Sequence, residues 1–345
     1  MMWYQKSIGT LLLAFTATTV HAEALNQLAT YAREDRQQRL IEGAKKEGTL
    51  LLYTAMPRVY LSQLTEPFEK KYGIKVNVWQ ATGETILQRV LNEARGGSPV
   101  VDVIHSISPL MEALQRESIL QEINSPVHKG LIPTAVPAHR KYASTLLYVF
   151  VQAYNTNKIK KEEIPKSYAD LLSPRWKDQL GIEAADHEWV SSVVKDMGEA
   201  KGVKFFGDLV AGNGLSVRKG HTLLTNLVMS GEVPLALTVY QYSVEQGKKK
   251  GAPIDWFVIE PAVSILSGMG VAAKAPHPHA ALLYYDYMLG AEAQKVLATL
   301  GYVPTSAAVE SPLKGVKLKF LDAAALLEEQ EKSDAQFRAI LSTKR

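Results

Sequence analysis

The sequence predicts an α/β protein of two lobes, each a mostly parallel sheet flanked by helices, with two extended crossings between them. Three observations predict it. Short apolar runs alternate with helix-period segments from residue 49 to 120. The apolar stretch "TLLYVFVQAYNT" (145–156) then leads into a second alternation of strands and helices. Finally, "DWFVIEPAVSILSGMGVAA" (255–273) is again extended and suits a return to the first lobe. At 345 residues the chain is long enough for two domains.

The elements follow in order. "TLLLYTA" (49–55) is an apolar run without helical period, as a buried strand requires. "LSQLTEPFEKKYG" (61–73) spaces Leu61, Leu64 and Phe68 as one helix face and stops at Gly73. "KVNVWQA" (75–81) alternates as a strand, and "GETILQRVLNEARGG" (83–97) returns to helical spacing. "VVDVIHS" (100–106) and "PLMEALQRESIL" (109–120) repeat the pair, which is the signature of parallel strands with crossover helices. In the second lobe, "LGIEAAD" (180–186) reads as a strand and residues 188 to 200 as a helix. "GLSVRKG" (214–220), "HTLLTNLVMSGE" (221–232) and "PLALTVYQY" (234–242) read as strand, helix and strand. From Pro278 the chain is helical. The expected division is a signal peptide at 1–22, one lobe from 23–148 with about 260–310, and the other from 149–259. The C-terminal helices of 311–345 carry no lobe assignment.

Composition narrows the function classes. A hydrophobic fraction of 46% and a charged fraction of 21% are those of an ordinary soluble protein. The formal charge is +4; residues 1–22 contain Lys6 and no acid, so without them 38 basic residues face 35 acidic ones, leaving +3. That excess, with no basic arm or stripe, excludes nucleic acid as the expected partner. "MMWYQK", the apolar "SIGTLLLAFTATTV" and "VHA" ending at Ala22 read as a cleavable export signal. The chain has no cysteine, which excludes a lipidated signal, structural disulfides and thiolate metal sites. The expectation is a soluble, exported, periplasmic monomer.

Several polar clusters sit where strands end. Thr54, Ala55 and Met56 follow the first strand, and Thr82, Gly83 and Glu84 the second. Backbone N–H groups at such turns bind anions, although Thr82 suits a helix cap equally well. His105, Ser106 and Ser108 lie beyond the third strand, with Ser108-Pro109 also a common helix start. In "SVRKGHTLL", Arg218 offers a planar donor fork beside His221 at a helix opening. In "DHEWVSS", Asp186 and His187 are polar candidates and Trp189 a candidate pocket wall. Tyr240 and Tyr242 close the strand of 234–242, where a spacing of two puts both rings on one face and turns Gln241 away. His277 and His279 are split by a proline and read as a helix start, "KKK" (248–250) as a solvated turn, and "YYDY" (284–287) as helix packing.

Taken together, "LLYTAMP", "ATGETILQRVLNEA", "LLYVFVQAYNT", "IPKSYADLLSPRWKDQL", "GEVPLALTVYQY" and "GVAAKAPHPHAALLYYDYMLGAEAQKVLATLGYVPTS" resemble, in order and spacing, the periplasmic solute-binding proteins of ABC importers in the iron(III) branch. The resemblance covers nearly all of the expected mature chain. It implies a type II periplasmic-binding fold that closes on a small-molecule solute in the cleft between lobes and passes it to an ABC permease in the inner membrane. Iron-binding members use two adjacent tyrosines, often with an acidic residue and a histidine, whereas this chain has Tyr240-Gln241-Tyr242. Their Ser- and Gly-rich anion loop is replaced here by the acidic "EAADHEWVSS" (183–192). The expected ligand is therefore a small organic anion, a carboxylate or phosphonate. N–H groups near Thr54 and Thr82 would hold it with Arg218 or His221, and Tyr240, Tyr242 and Trp189 would enclose it. Ferric iron held by Tyr240 and Tyr242 is the alternative. No resident cofactor is expected, and no Ser-His-Asp set, carboxylate pair or phosphate loop supports an exported enzyme on the same fold.

Overall fold

The computed structural model describes residues 25–343, so the expected export signal lies outside the described residues. The first part runs α1 (Arg36–Glu47), β1 (Thr49–Thr54), α2 (Arg58–Tyr72), β2 (Lys75–Gln80), α3 (Gly83–Arg95), β3 (Val103–Ile107) and α4 (Ser108–Arg116). β1 is the central strand of this ladder, parallel to β2 from Thr49↔Lys75 to Thr54↔Gln80 and to β3 through Leu52↔Val103. Leu50, Leu52 and Tyr53 are fully buried, and α2 buries Leu61, Leu64 and Phe68, the face that its spacing predicts.

The second part begins with β4 (Ala143–Asn155) and continues through β5 (Leu180–Glu183), α5 (His187–Met197), α6 (Glu199–Asn213) and β6 (Ser216–Arg218). It goes on with α7 (His221–Ser230), β7 (Leu235–Tyr240), α8 (Gln241–Lys249), β8 (Ile254–Phe257) and β9 (Ala262–Val271). The chain ends with α9 (Pro278–Leu289), α10 (Ala291–Thr299), β10 (Val303–Pro304), β11 (Leu318–Phe320), α11 (Ala323–Glu328) and α12 (Gln330–Leu341). β7, β5 and β6 are parallel neighbours, while β4 and β9 run antiparallel to β7 and β3 respectively.

Two compact units result. One runs to Thr145 and includes Ser267–Val296 and Thr305–Val309; the other holds Leu146–Leu266, Leu297–Pro304 and the chain from Glu310. In the second unit the expected helix of 188–200 ends at Met197, and α6 follows over residues that the sequence analysis left unassigned beyond 200. The two helices pack so closely that a Cβ on Gly202 would lie 2.5 Å from the Val194 Cα. A side chain there would push them apart.

In the first unit, His105 is 2% exposed and lies among three hydroxyls. Thr54 Oγ1 is 3.2 Å from its Nδ1, and Thr145 Oγ1 and Ser267 Oγ are 3.0 and 3.2 Å from its Nε2. Burial without an acidic neighbour pushes this imidazole down to about 4. The unfolded chain binds the proton near pH 6.5, so between pH 6.5 and 4 the unfolded state holds more protons and stability falls as pH falls. The expected loss at pH 4 is about 3 kcal/mol, at 1.36 kcal/mol per pKa unit. Urea midpoints measured across that window should show it, and His105→Gln should remove this contribution to the slope.

Candidate functional site

The second unit gathers an aromatic and acidic face at the ends of β5, β6 and β7. β7 ends at Tyr240 and α8 begins at Gln241, so the two tyrosines do not share a strand as their spacing suggested. They come together because Tyr242 lies in the first helical turn. Their ring centroids are 6.0 Å apart with planes at 20°. Gln241 is 2% exposed and points inward, opposite to the expectation from a continued strand. Pairing of Phe150 with Tyr240 across β4 and β7 sets Tyr148 on the same strand face, two residues along. The Tyr148 and Phe150 rings are 4.8 and 5.2 Å from Tyr240, and Tyr302 stacks 4.3 Å from Tyr242. Tyr148, Tyr240 and Tyr242 are half-buried, which leaves part of each ring open.

Carboxylates border this face. Glu183 ends β5, and its side chain ties two loops together by accepting from the Gly220 N–H at 2.7 Å and the Ala185 N–H at 2.5 Å. Asp186, 3% exposed, sets Oδ1 3.2 Å from His221 Nε2, while its Oδ2 is buried without a partner. The donor atoms of Glu183, Asp186 and His221 lie within 4.8 Å of one another. The His221 ring lies 3.9 Å from Tyr240, and its Nδ1 is likewise buried without a partner. Burial opposes charge on His221, yet the carboxylates of Asp186, Glu183 and Glu188 outweigh it and raise the imidazole's pKa. Burial, then Asp186 and Glu188, hold the Tyr240 phenol well above its ordinary value, and burial raises Glu188 as well. Hard oxygen donors and an imidazole so arranged suit a hard cation, which would also displace the phenol proton.

Other candidates of this unit take different places. Trp189, 1% exposed, packs against Phe206 and Tyr168 at ring distances of 5.9 and 6.0 Å; it is a core side chain, not a pocket wall. His187 Nε2 lies 3.6 Å from Glu188 Oε1 beside the acidic loop. The Arg218 guanidinium bonds Glu232 through Nη2 at 3.3 Å in an exposed pair, while its Nε is buried without a partner.

In the first unit, the N–H donors after β1 are bonded within the chain. The Ala55 N–H bonds the His105 carbonyl at 3.4 Å, and the Met56 N–H bonds Thr54 Oγ1 at 3.1 Å. Thr54 itself is fully buried against His105. Thr82 caps α3 by accepting from the Thr85 N–H, and Glu84 sits exposed in that helix's first turn. Ser106 is 3% exposed with its Oγ unpartnered, and a Cβ on Gly83 would come within 3.0 Å of it and 2.3 Å of Leu110. Gly83 therefore keeps α3 close to the end of β3. His277 and His279 each anchor Nδ1 on a carboxylate, Asp102 at 2.9 Å and Glu47 at 2.7 Å, at the start of α9. Lys248 pairs with Glu245 and Asp255, and Tyr284, Tyr285 and Tyr287 are buried in α9.

Sequence reasoning passed over Tyr148, Tyr302 and Glu183. Alternation of Tyr148 and Phe150 in an apolar strand was a signal for the first. Nothing local marked the other two, whose partners come from distant segments.

Comparison with known proteins agrees with this architecture. The chain is 23% identical over 294 residues to the Fe(3+)-binding periplasmic protein of Serratia marcescens, covering 82% of this chain and 86% of that one. Iron-bound HitA from Pseudomonas aeruginosa superposes with a TM-score of 0.72 at 24% identity, over 85% of this chain and 99% of that one. The periplasmic binding protein AfuA from Actinobacillus pleuropneumoniae, with fructose-6-phosphate bound, gives 0.73 at 20% identity, over 86% and 99%. These neighbours are two-lobed binding proteins, not enzymes. No helix among the described residues is long and apolar enough to cross a membrane. The model of the bacterial extracellular solute-binding protein family matches residues 98–329, more than half of the chain, and the chain belongs to that family.

Proposed function

We propose that this protein captures ferric iron in the periplasm and delivers it to an ABC permease, with Tyr240 and Tyr242 as phenolate ligands and Asp186 and His221 beside them. The observation that carries this reading is the charge of the site. Burial, then the carboxylates of Asp186 and Glu188, raise the pKa of the Tyr240 phenol, and Glu183 gathers with Asp186 and His221 beside it, an acidic setting that favours a cation over the organic anion expected from sequence. Arg218, one of the two side chains offered to that anion, pairs with Glu232 through Nη2. The Serratia relative, named for Fe(3+) binding, and the iron-bound HitA neighbour support the same choice.

A thermal-shift panel on the protein without residues 1–22 tests it. Ferric nitrilotriacetate should raise the melting temperature by several degrees, since ligand at 100 times Kd adds about 2.7 kcal/mol. Citrate, a phosphonate and fructose 6-phosphate should leave it unchanged, and Arg218→Ala should not weaken the ferric response. A large shift with one of those anions, abolished in Arg218→Ala and unmatched by iron, would reinstate the organic anion.

A further inference from the structure

We infer that the first unit carries a second binding site, lined by α1, the end of α2 and α9, for a small uncharged molecule that presents a carboxamide. A cavity of about 510 Å³ lies there, within the roughly 300–1,000 Å³ of sites that take small molecules. All of its lining residues belong to the first unit and none to the tyrosine face, so this site does not rest on the ferric reading.

The ligand's chemistry follows from an ion pair in the lining that is half made. Arg36, 4% exposed, spends Nη1 on the Leu28, Ala29 and Tyr31 carbonyls and gives its Nε hydrogen to Asp286 Oδ2 at 2.9 Å. Arginine often forms two parallel bonds to a carboxylate. Here the second is missing, and Arg36 Nη2 and Asp286 Oδ1 are both buried without a partner. Burial raises the Asp286 pKa against the opposing effect of Arg36 and a Ser125 hydrogen bond, as suits a carboxylate short of donors. Leaving a buried donor and acceptor open is costly, and a group that satisfied both would recover that cost. A carboxamide does so from adjacent atoms of one plane, its C=O accepting from Nη2 and its N–H donating to Oδ1. A carboxylate has no hydrogen for Oδ1 and would meet its charge, while an ammonium has no acceptor for Nη2. The other lining residues agree with an uncharged ligand. Arg33, Arg36 and Lys71 are balanced by Glu34, Asp286 and Glu292, and Lys71 pairs with Glu292 at 2.5 Å. Tyr72 and Tyr287, with ring centroids 6.5 Å apart, add aromatic surface for the body of the ligand.

Ligand-observed NMR and calorimetric titration of the protein without residues 1–22 test this with a matched set of nicotinamide, nicotinate and methyl nicotinate. The three differ only in the group offered to Arg36 and Asp286. Nicotinamide should bind with a Kd of about 1 mM or tighter, and the acid and the ester at least about tenfold more weakly. Asp286→Asn removes the charge and supplies a donor, so nicotinamide should weaken about tenfold or more and nicotinate should bind at least as well as nicotinamide. The same variant should leave the response to ferric nitrilotriacetate unchanged. Ala291→Trp, which fills the cavity from an exposed lining position, should abolish nicotinamide binding with the unfolding midpoint nearly unchanged. No binding of any of the three at about 10 mM means a cavity that holds water only, and overturns the inference. Equal binding of acid and amide by the parent protein overturns it too, as does nicotinamide binding that survives Ala291→Trp. Should Asp286→Asn fail to fold, the parent's ranking and Ala291→Trp decide.

Discussion

Tyr240→Phe/Tyr242→Phe protein should bind ferric iron at least 100-fold more weakly than the parent and show no visible charge-transfer band. Outer partners of metal ligands typically cost 10–100-fold when removed, so loss of two direct ligands should exceed that range. The single variants should differ. Tyr240 lies against His221 and is coupled to Asp186 and Glu188, so Tyr240→Phe should cost more than Tyr242→Phe. Both substitutions keep the rings that pack with Tyr148 and Tyr302, and the unfolding midpoint should stay nearly unchanged. That control separates lost ligation from lost structure. If the double variant retains the parent's iron affinity, the tyrosines are aromatic walls only.

Trp189→Ala should lower stability by about 3–5 kcal/mol, the range for deleting a large buried aromatic side chain. Trp189 is 1% exposed between Phe206 of α6 and Tyr168, and no rearrangement of so tight a helix pair would close the cavity fully. Trp189→Phe, which keeps most of the packing, should cost under half as much. The check is a urea denaturation midpoint for each variant beside its ferric affinity. A pocket wall would behave oppositely, with weakened binding and an unchanged midpoint. Because Trp189 lies in the first turn of α5, just after Asp186, the alanine variant should also loosen the acidic loop and weaken iron binding secondarily.

Much of the fold was legible in the sequence because the first unit depends on local pattern. The apolar run at 49–55, the spacing of Leu61, Leu64 and Phe68, and the stop at Gly73 are each a property of a few neighbouring residues. Helix α6 went unassigned, and Gly202, Gly207 and Gly212, which recur through it, weaken its helical pattern. Gly202 is there for the contact with Val194, which local pattern does not reveal. Antiparallel placement of β9 beside β3 is a tertiary choice of the same kind.

The candidate site was legible as residue types and not as geometry. Tyr240 and Tyr242 stood out, yet the end of β7 at Tyr240 moved Tyr242 onto a helix and turned Gln241 inward. Arg218 looked like a ligand fork because its local setting at a helix opening suits one. Its Nη2 pairs instead with Glu232, fourteen residues on. Within the acidic run of 183–192 nothing singled out Glu183, since its donors at Gly220 and Ala185 meet it only once β5 and β6 pair.

A spectrophotometric titration with total-iron analysis decides whether this face of the second unit binds ferric iron. Ferric nitrilotriacetate added to the protein without residues 1–22 should produce a visible phenolate-to-iron band that saturates at one iron per chain and collapses in Tyr240→Phe. A titration with no band and no retained iron, or a band of undiminished strength in Tyr240→Phe, would contradict the account.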